Sequence, residues 1–304
     1  MSTAIARRDL VFLTLAAASW GVGTVVSKRA VAEIPPFSLL PIQLAASLGV
    51  LVVLMRASDM PLRGSPPVLA RLGILNPGMA YALGLAGLTW ISASLSVMLW
   101  ALEPLLILLL AGVFLREGIT ARFVALSLMA AVGMALVVFE PASGGAWPGV
   151  VLTLLGIVCC AVYTIVARRF VAASDSTAQV VLAQQAHALG FAIVVALGVA
   201  AVGGDVRPST LTVLGIASAV ASGILYYAAA YWFYLTALRS VPASLASTSF
   251  YLIPVFGVAA GAVLLGDRLE PVQWLGATVV AIAVATIALR PAPIADRAEV
   301  VAPG

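Results

Sequence analysis

The chain has 304 residues, 63% of them hydrophobic and 9% charged, with a mean hydropathy of +1.14 and a net charge of +4. A water-soluble domain carries roughly 25% charged residues, so this chain lacks the polar surface to cover itself in water, and most of it must lie in lipid. That excludes a soluble enzyme, a disordered regulator and a nucleic-acid module, and makes the excess of arginine a report on orientation.

Apolar segments near the roughly 20 residues that cross a bilayer fall in chain order at 10–27, 37–55, 68–88, 91–114, 121–139, 149–167, 177–201, 210–237, 243–265 and 272–289. The breaks carry charge or helix breakers: Lys28-Arg29 with Pro35-Pro36, Arg56 to Pro67, Arg116-Glu117-Gly118, Glu140 to Pro148, and Asp267 to Pro271. The first segment follows Arg7-Arg8-Asp9, has full membrane length and is followed by further spans, so it reads as a retained start-transfer helix. The ten-residue alternation of an outer-membrane barrel is absent. The predicted fold is an all-α integral membrane protein of ten transmembrane helices. With the N-terminus inside, twelve basic residues (Arg7, Arg8, Arg56, Arg63, Arg71, Arg116, Arg122, Arg168, Arg169, Arg239, Arg290, Arg297) face the cytoplasm. Four (Lys28, Arg29, Arg207, Arg268) face outward, which places both termini in the cytoplasm.

An internal repeat organises these spans. Residues 71–140 align with 221–290 without a gap, with about sixteen identities. Gly73-Ile74-Leu75 meets Gly223-Ile224-Leu225, Tyr81 meets Tyr231, Ala93-Ser94-Leu95 meets Ala243-Ser244-Leu245, Pro104 meets Pro254, and Glu117 meets Asp267. The earlier helices pair Gln43 with Gln184 and Lys28-Arg29 with Arg168-Arg169. The chain therefore divides into a five-helix repeat over 1–145, a second over 146–292 and a cytoplasmic tail over 293–304. Five is odd, so the second repeat enters the membrane inverted, the usual construction of a secondary transporter around a central cavity.

Ser19-Trp20-Gly21, Leu102-Glu103-Pro104 with Gly112 to Glu117, and in the second copy Leu252-Ile253-Pro254 with Gly261 to Asp267 resemble the drug/metabolite transporter superfamily in its ten-helix EamA-type branch. Bacterial aromatic amino-acid exporters of that branch look closest. The resemblance spans residues 8 to 290 and implies alternating-access export of a small amphipathic metabolite, an amino acid foremost, across a bacterial inner membrane. A cationic-drug efflux pump is the alternative. The second copy departs from the pattern, with Cys160-Ala161 for Trp20-Gly21 and Ile253 for Glu103.

No Walker-type loop is present, and a single histidine with the adjacent Cys159 and Cys160 makes no metal cluster or nucleophile–base pair. Enzyme activity, cofactor and metal are therefore not expected. The expected partners are a small-molecule substrate and the lipid bilayer, with no nucleic acid, and the oligomeric state is left open, a monomer included. Polar and aromatic groups at membrane depth are the candidate site, because each is costly there unless it faces a cavity or another helix. Tyr227 and Tyr231 share a face of the eighth helix with Tyr234, and Tyr81 is the repeat partner of Tyr231. Gln43 and Gln184 supply donors and acceptors, with His187 three residues further along. Tyr163, Trp20 and Trp100 are walls of a cavity or packing residues on equal terms. Glu103, the one acid near the middle of a span, either holds the helix opened by Pro104 through a hydrogen bond or couples transport to protons.

Overall fold

The structure, a computed structural model, describes residues 6–62, 65–88, 90, 99–100, 102–137, 147–172, 174, 176–208, 210–265 and 271–289. All regular structure among them is helical, in ten stretches besides the short piece at residues 99–100. They are α1 Arg7–Val31, α2 Pro36–Ala57, α3 over 67–88, α4 Glu103–Phe114, α5 Ala121–Val137, α6 Trp147–Val171, α7 Thr177–Ala201, α8 Val213–Leu238, α9 over 243–265 and α10 Pro271–Leu289. Seven of these, all but α4, α5 and α10, are long and apolar enough to cross a membrane. The span expected over 91–114 begins in residues 91–98, which lie outside the described residues, as does the tail over 293–304.

Helix starts follow local chemistry. Prolines 36 and 67 occupy first positions whose N–H has no helical partner anyway. The Thr212 hydroxyl accepts from the Gly215 N–H at 3.0 Å to cap α8, and Ser176 caps α7 in the same way. Three helices are not the straight rods that the sequence suggests. α3 opens into a wide π-type turn over Ile74–Met79, where Asn76 is extended (φ −148°, ψ 121°) and Pro77 has no N–H to give. α8 opens in the same way over Ile224–Ala229. α9 begins as Ala243–Ser247, tightens to a 3-10 turn over Thr248–Leu252 and continues from Ile253 into Pro254.

The packing repeats when each helix is exchanged for the one five further along. α1 lies against α8 and α9, as α6 lies against α3 and α4; α2 lies against α8, as α7 lies against α3. The self-matched pairs α2–α7, α4–α9 and α5–α10 complete the pattern. In lipid, helices associate by close packing at small residues. A Cβ on Gly21 would stand 2.5 Å from the Ile253 carbonyl oxygen, one on Gly156 2.8 Å from that of Ala80, and one on Gly133 3.0 Å from that of Gly276. α5 and α10 form a separate apolar pair through Ala130, Met134, Val280 and Ala283. The large apolar side chains on the outside, such as Val53, Val132, Leu197 and Leu275, match a hydrocarbon solvent.

The connections gather at two ends. At one, the Ser240 hydroxyl donates to Asp9 Oδ2 at 2.7 Å, Gln179 Nε2 donates to the Pro61 carbonyl at 2.9 Å, and Arg239 donates to Ser174 Oγ at 3.3 Å. At the other, the Ser38 hydroxyl donates to the Val206 carbonyl at 2.5 Å. There Glu33 takes the N–H and hydroxyl of Thr212 at 2.9 and 2.8 Å, which hold its carboxyl below the usual carboxylate range. The Asp9 end carries Arg7, Arg8, Arg56, Arg71, Arg116, Arg122, Arg168, Arg169 and Arg239; the other carries Arg29 and Arg207.

Candidate substrate site

The site forms where both repeats bring aromatic side chains to the centre. From α1, the Trp20 ring meets Tyr231, Tyr234 and Phe250 edge-on, with centroids 5.6, 5.6 and 5.4 Å away. Tyr163 of α6 meets Tyr231 at 6.2 Å. Tyr81 of α3 stacks on Trp100 at 6.2 Å and meets Tyr226 and Tyr227 of α8 edge-on at 5.5 and 5.7 Å. These are the offset and edge arrangements that ring quadrupoles favour. The wide turn of α8 explains why Tyr226 and Tyr227, adjacent in sequence, both point inward: a π-type turn takes an extra residue, and both neighbours then face one side.

Burial divides the cluster in two. Trp20, Tyr163, Tyr227, Tyr231 and Tyr234 are buried, whereas Tyr81, Trp100, Glu103 and Tyr226 are half-buried and Thr24 is exposed. The Glu103 carboxyl lies within electrostatic reach of Tyr226 and Tyr234, and the Tyr81 and Thr24 hydroxyls lie beside that of Tyr226. The accessible part of the cluster is thus an aromatic patch with one carboxyl, set before a closed aromatic wall.

The polar residues play different parts. The Tyr231 hydroxyl donates to Asn76 Oδ1 at 2.7 Å, so the irregular turn of α3 supplies its acceptor. The Tyr163 hydroxyl donates to Gln184 Oε1 at 2.9 Å, and among the described residues neither the buried amide Nε2 of Gln184 nor Trp20 Nε1 has a partner. Gln43 is a strut: its Nε2 donates to Ser27 Oγ at 2.9 Å and Ser222 Oγ at 2.8 Å, tying α1, α2 and α8 together. The repeat partners Gln43 and Gln184 therefore share a position and not a set of bonds.

One expectation needs correction. His187 does not join the cluster: it is exposed, with Nδ1 2.8 Å from the Ala183 carbonyl oxygen of its own helix. It lines an open outer groove of about 480 Å³ with Ile74, Gly190, Phe191 and Val194. The buried arc of α7 runs through Val181, Gln184, Gln185 and Ala188, and the step of three residues from Gln184 to His187 leaves that arc. Glu103 opens α4 directly before Pro104 and is half-buried, and residues 91–98 and 101 that precede it lie outside the described residues. Sequence reasoning missed Tyr226, Asn76 and Phe250. Asn76 carried a signal, an amide directly before a proline within an apolar span; Tyr226 carried none beyond its neighbour.

Comparisons with known proteins agree with this architecture. The sequence profile of the EamA-like transporter family matches residues 8–139 and 147–289, one copy on each half. The chain is similar to an uncharacterized transporter of Archaeoglobus fulgidus, 25% identical over 264 residues that cover 85% of this chain and 91% of the relative. It is also similar in fold to a protein of known crystal structure, with a TM-score of 0.77 at 20% identity over 92% of this chain and 96% of the other.

Proposed function

This chain belongs to the EamA-like transporter family, and on that premise we propose that it exports small amphipathic metabolites, amino acids foremost, by alternating access across a bacterial inner membrane. The observation that carries the reading is the half-buried patch of Tyr81, Trp100, Glu103 and Tyr226, built by both repeats at the depth where a carrier holds its cargo. Phenol and indole faces suit an apolar side chain, and their polar edges suit an amino acid's polar end. The exchange symmetry of the packing supports two inverted halves, with α4, α5 and α10 completing ten crossings. Two halves of equal build can trade conformations at little cost, which is the physical basis of opening to either side.

Efflux of organic cations is the second reading, favoured by the Glu103 carboxyl within reach of the Tyr226 ring. Purified protein in liposomes, loaded in turn with amino acids and with quaternary amines, separates the two. The Glu103→Gln variant sharpens the outcome, because it keeps the shape and cannot ionise. For an amino-acid exporter, downhill flux stays near normal; a near-complete loss in folded protein would count against that reading. Selective loss of pH-driven accumulation would assign Glu103 to proton coupling.

The proposed topology has its own test. The Asp9 end, rich in arginine, is cytoplasmic under the positive-inside rule. A cysteine at Asp205 then reacts with an impermeant maleimide in intact cells, and one at Ser58 only after permeabilisation. Labelling of Ser58→Cys from outside would reverse the orientation.

A further inference from the structure

Glu117 lies just past the end of α4 and reaches across to the second repeat. Its carboxylate accepts from the Ala243 N–H at 2.8 Å, the Ser244 N–H at 3.0 Å and the Ser244 hydroxyl. A carboxylate taking three donors at a helix start makes strong, charge-assisted bonds. The chain is bent to deliver it: Leu115 and Glu117 both donate to the Ala111 carbonyl, and Arg116 between them adopts the left-handed conformation (φ 54°). That conformation is uphill for a residue with a Cβ, and the repeat partner of Arg116 is Gly266.

The position of this contact gives it meaning. It sits at the Asp9 end, beside the bond from Ser240 to Asp9, and both bonds join the first repeat to the α8–α9 corner of the second. Beneath that corner lies the closed wall of Trp20, Tyr234 and Phe250. Counted along their helices, Thr24, Tyr81 and Tyr226, accessible or half-buried, lie further from the Asp9 end than the buried Trp20, Asn76 and Tyr231. The cluster is therefore closed by the Trp20, Tyr234 and Phe250 wall towards the Glu117 end and less buried in its members nearer the Glu33 end.

We propose that Glu117 is the latch of this shut end: its bonds to Ala243 and Ser244 hold α9 against α4, and they part when the end opens. The inference rests on the transporter reading above, since only a carrier needs an end that opens and closes. The second repeat carries matching residues in sequence, with Asp267 for Glu117 and Ser94 for Ser244; both lie outside the described residues.

The test places a reporter behind the latch. Ser247, fully buried about one turn inside Ser244, is replaced by cysteine, and its reaction with an impermeant maleimide is followed in vesicles of each orientation, with labelling of the native thiols subtracted. Glu117→Ala in this background is expected to speed labelling at least fivefold from the Glu117 side and to leave the opposite side unchanged. Glu117→Gln, which retains one acceptor, falls between, and it decides the matter alone if the alanine variant does not fold. A folded variant that melts lower while Ser247→Cys labels at the wild-type rate from both sides overturns the latch and leaves Glu117 a helix cap. Downhill flux by the wild-type protein is measured in parallel: flux with unchanged labelling rejects the latch alone, and absence of flux for every solute rejects the transporter reading.

Discussion

Gly73→Ala and Gly223→Ala are each expected to destabilise the protein by more than about 3 kcal/mol, above the usual range for overpacking. The two glycines are repeat partners, and each meets a backbone. A Cβ on Gly73 would press into the Gln184 carbonyl oxygen, and one on Gly223 into that of Gln43. A carbonyl in the middle of a helix has no rotamer to escape to, so α3 must move off α7, or α8 off α2. Moving α3 also disturbs the bonds that hang on this seam, from Tyr163 to Gln184 and from Tyr231 to Asn76. A total stability of only 5–15 kcal/mol leaves little reserve for such a loss. Folded yield and the melting midpoint in detergent measure it. Gly190→Ala is the control: nothing lies within 4 Å of its added methyl, and a helix interior gains up to about 1 kcal/mol from alanine. A wild-type melting midpoint for Gly73→Ala would refute the close seam.

The second large effect concerns affinity. Tyr81→Ala and Tyr226→Ala are each expected to weaken substrate binding about tenfold, the loss of one aromatic contact worth about 1–1.5 kcal/mol. Folded yield should stay near wild type, because both rings are half-buried and leave no sealed void. Tyr234→Ala behaves in the opposite way: it empties space behind Trp20 and Phe250 in the closed wall, so it lowers the melting midpoint by an amount typical of a large core deletion, about 3–5 kcal/mol. Saturation of uptake into inverted vesicles, followed beside thermal unfolding, separates the two classes. Unchanged affinity in both Tyr81 and Tyr226 variants would return these rings to simple packing.

Seven of the ten expected spans were legible because the bilayer imposes a length and a composition that a crossing must obey. The repeat was legible because Gly73 with Gly223, and Pro104 with Pro254, occupy corresponding places that packing and backbone do not let drift. Direction around each helix was another matter. In water an apolar stripe marks the buried face, but lipid is as apolar as a protein core, so helices such as α7 and α8 carry no such mark. Tertiary structure alone turned His187 out to the outer groove, and the wide turn of α8 brought Tyr226 in beside Tyr227. That turn has no proline to announce it, since Tyr227 stands where α3 has Pro77. It goes with the approach of Gly223 to the Gln43 backbone, a contact between residues 180 positions apart that no local pattern encodes. The partners of Glu117 were decided in the same way: this acid is drawn across to α9, because a side chain's partners depend on which helices the fold sets side by side.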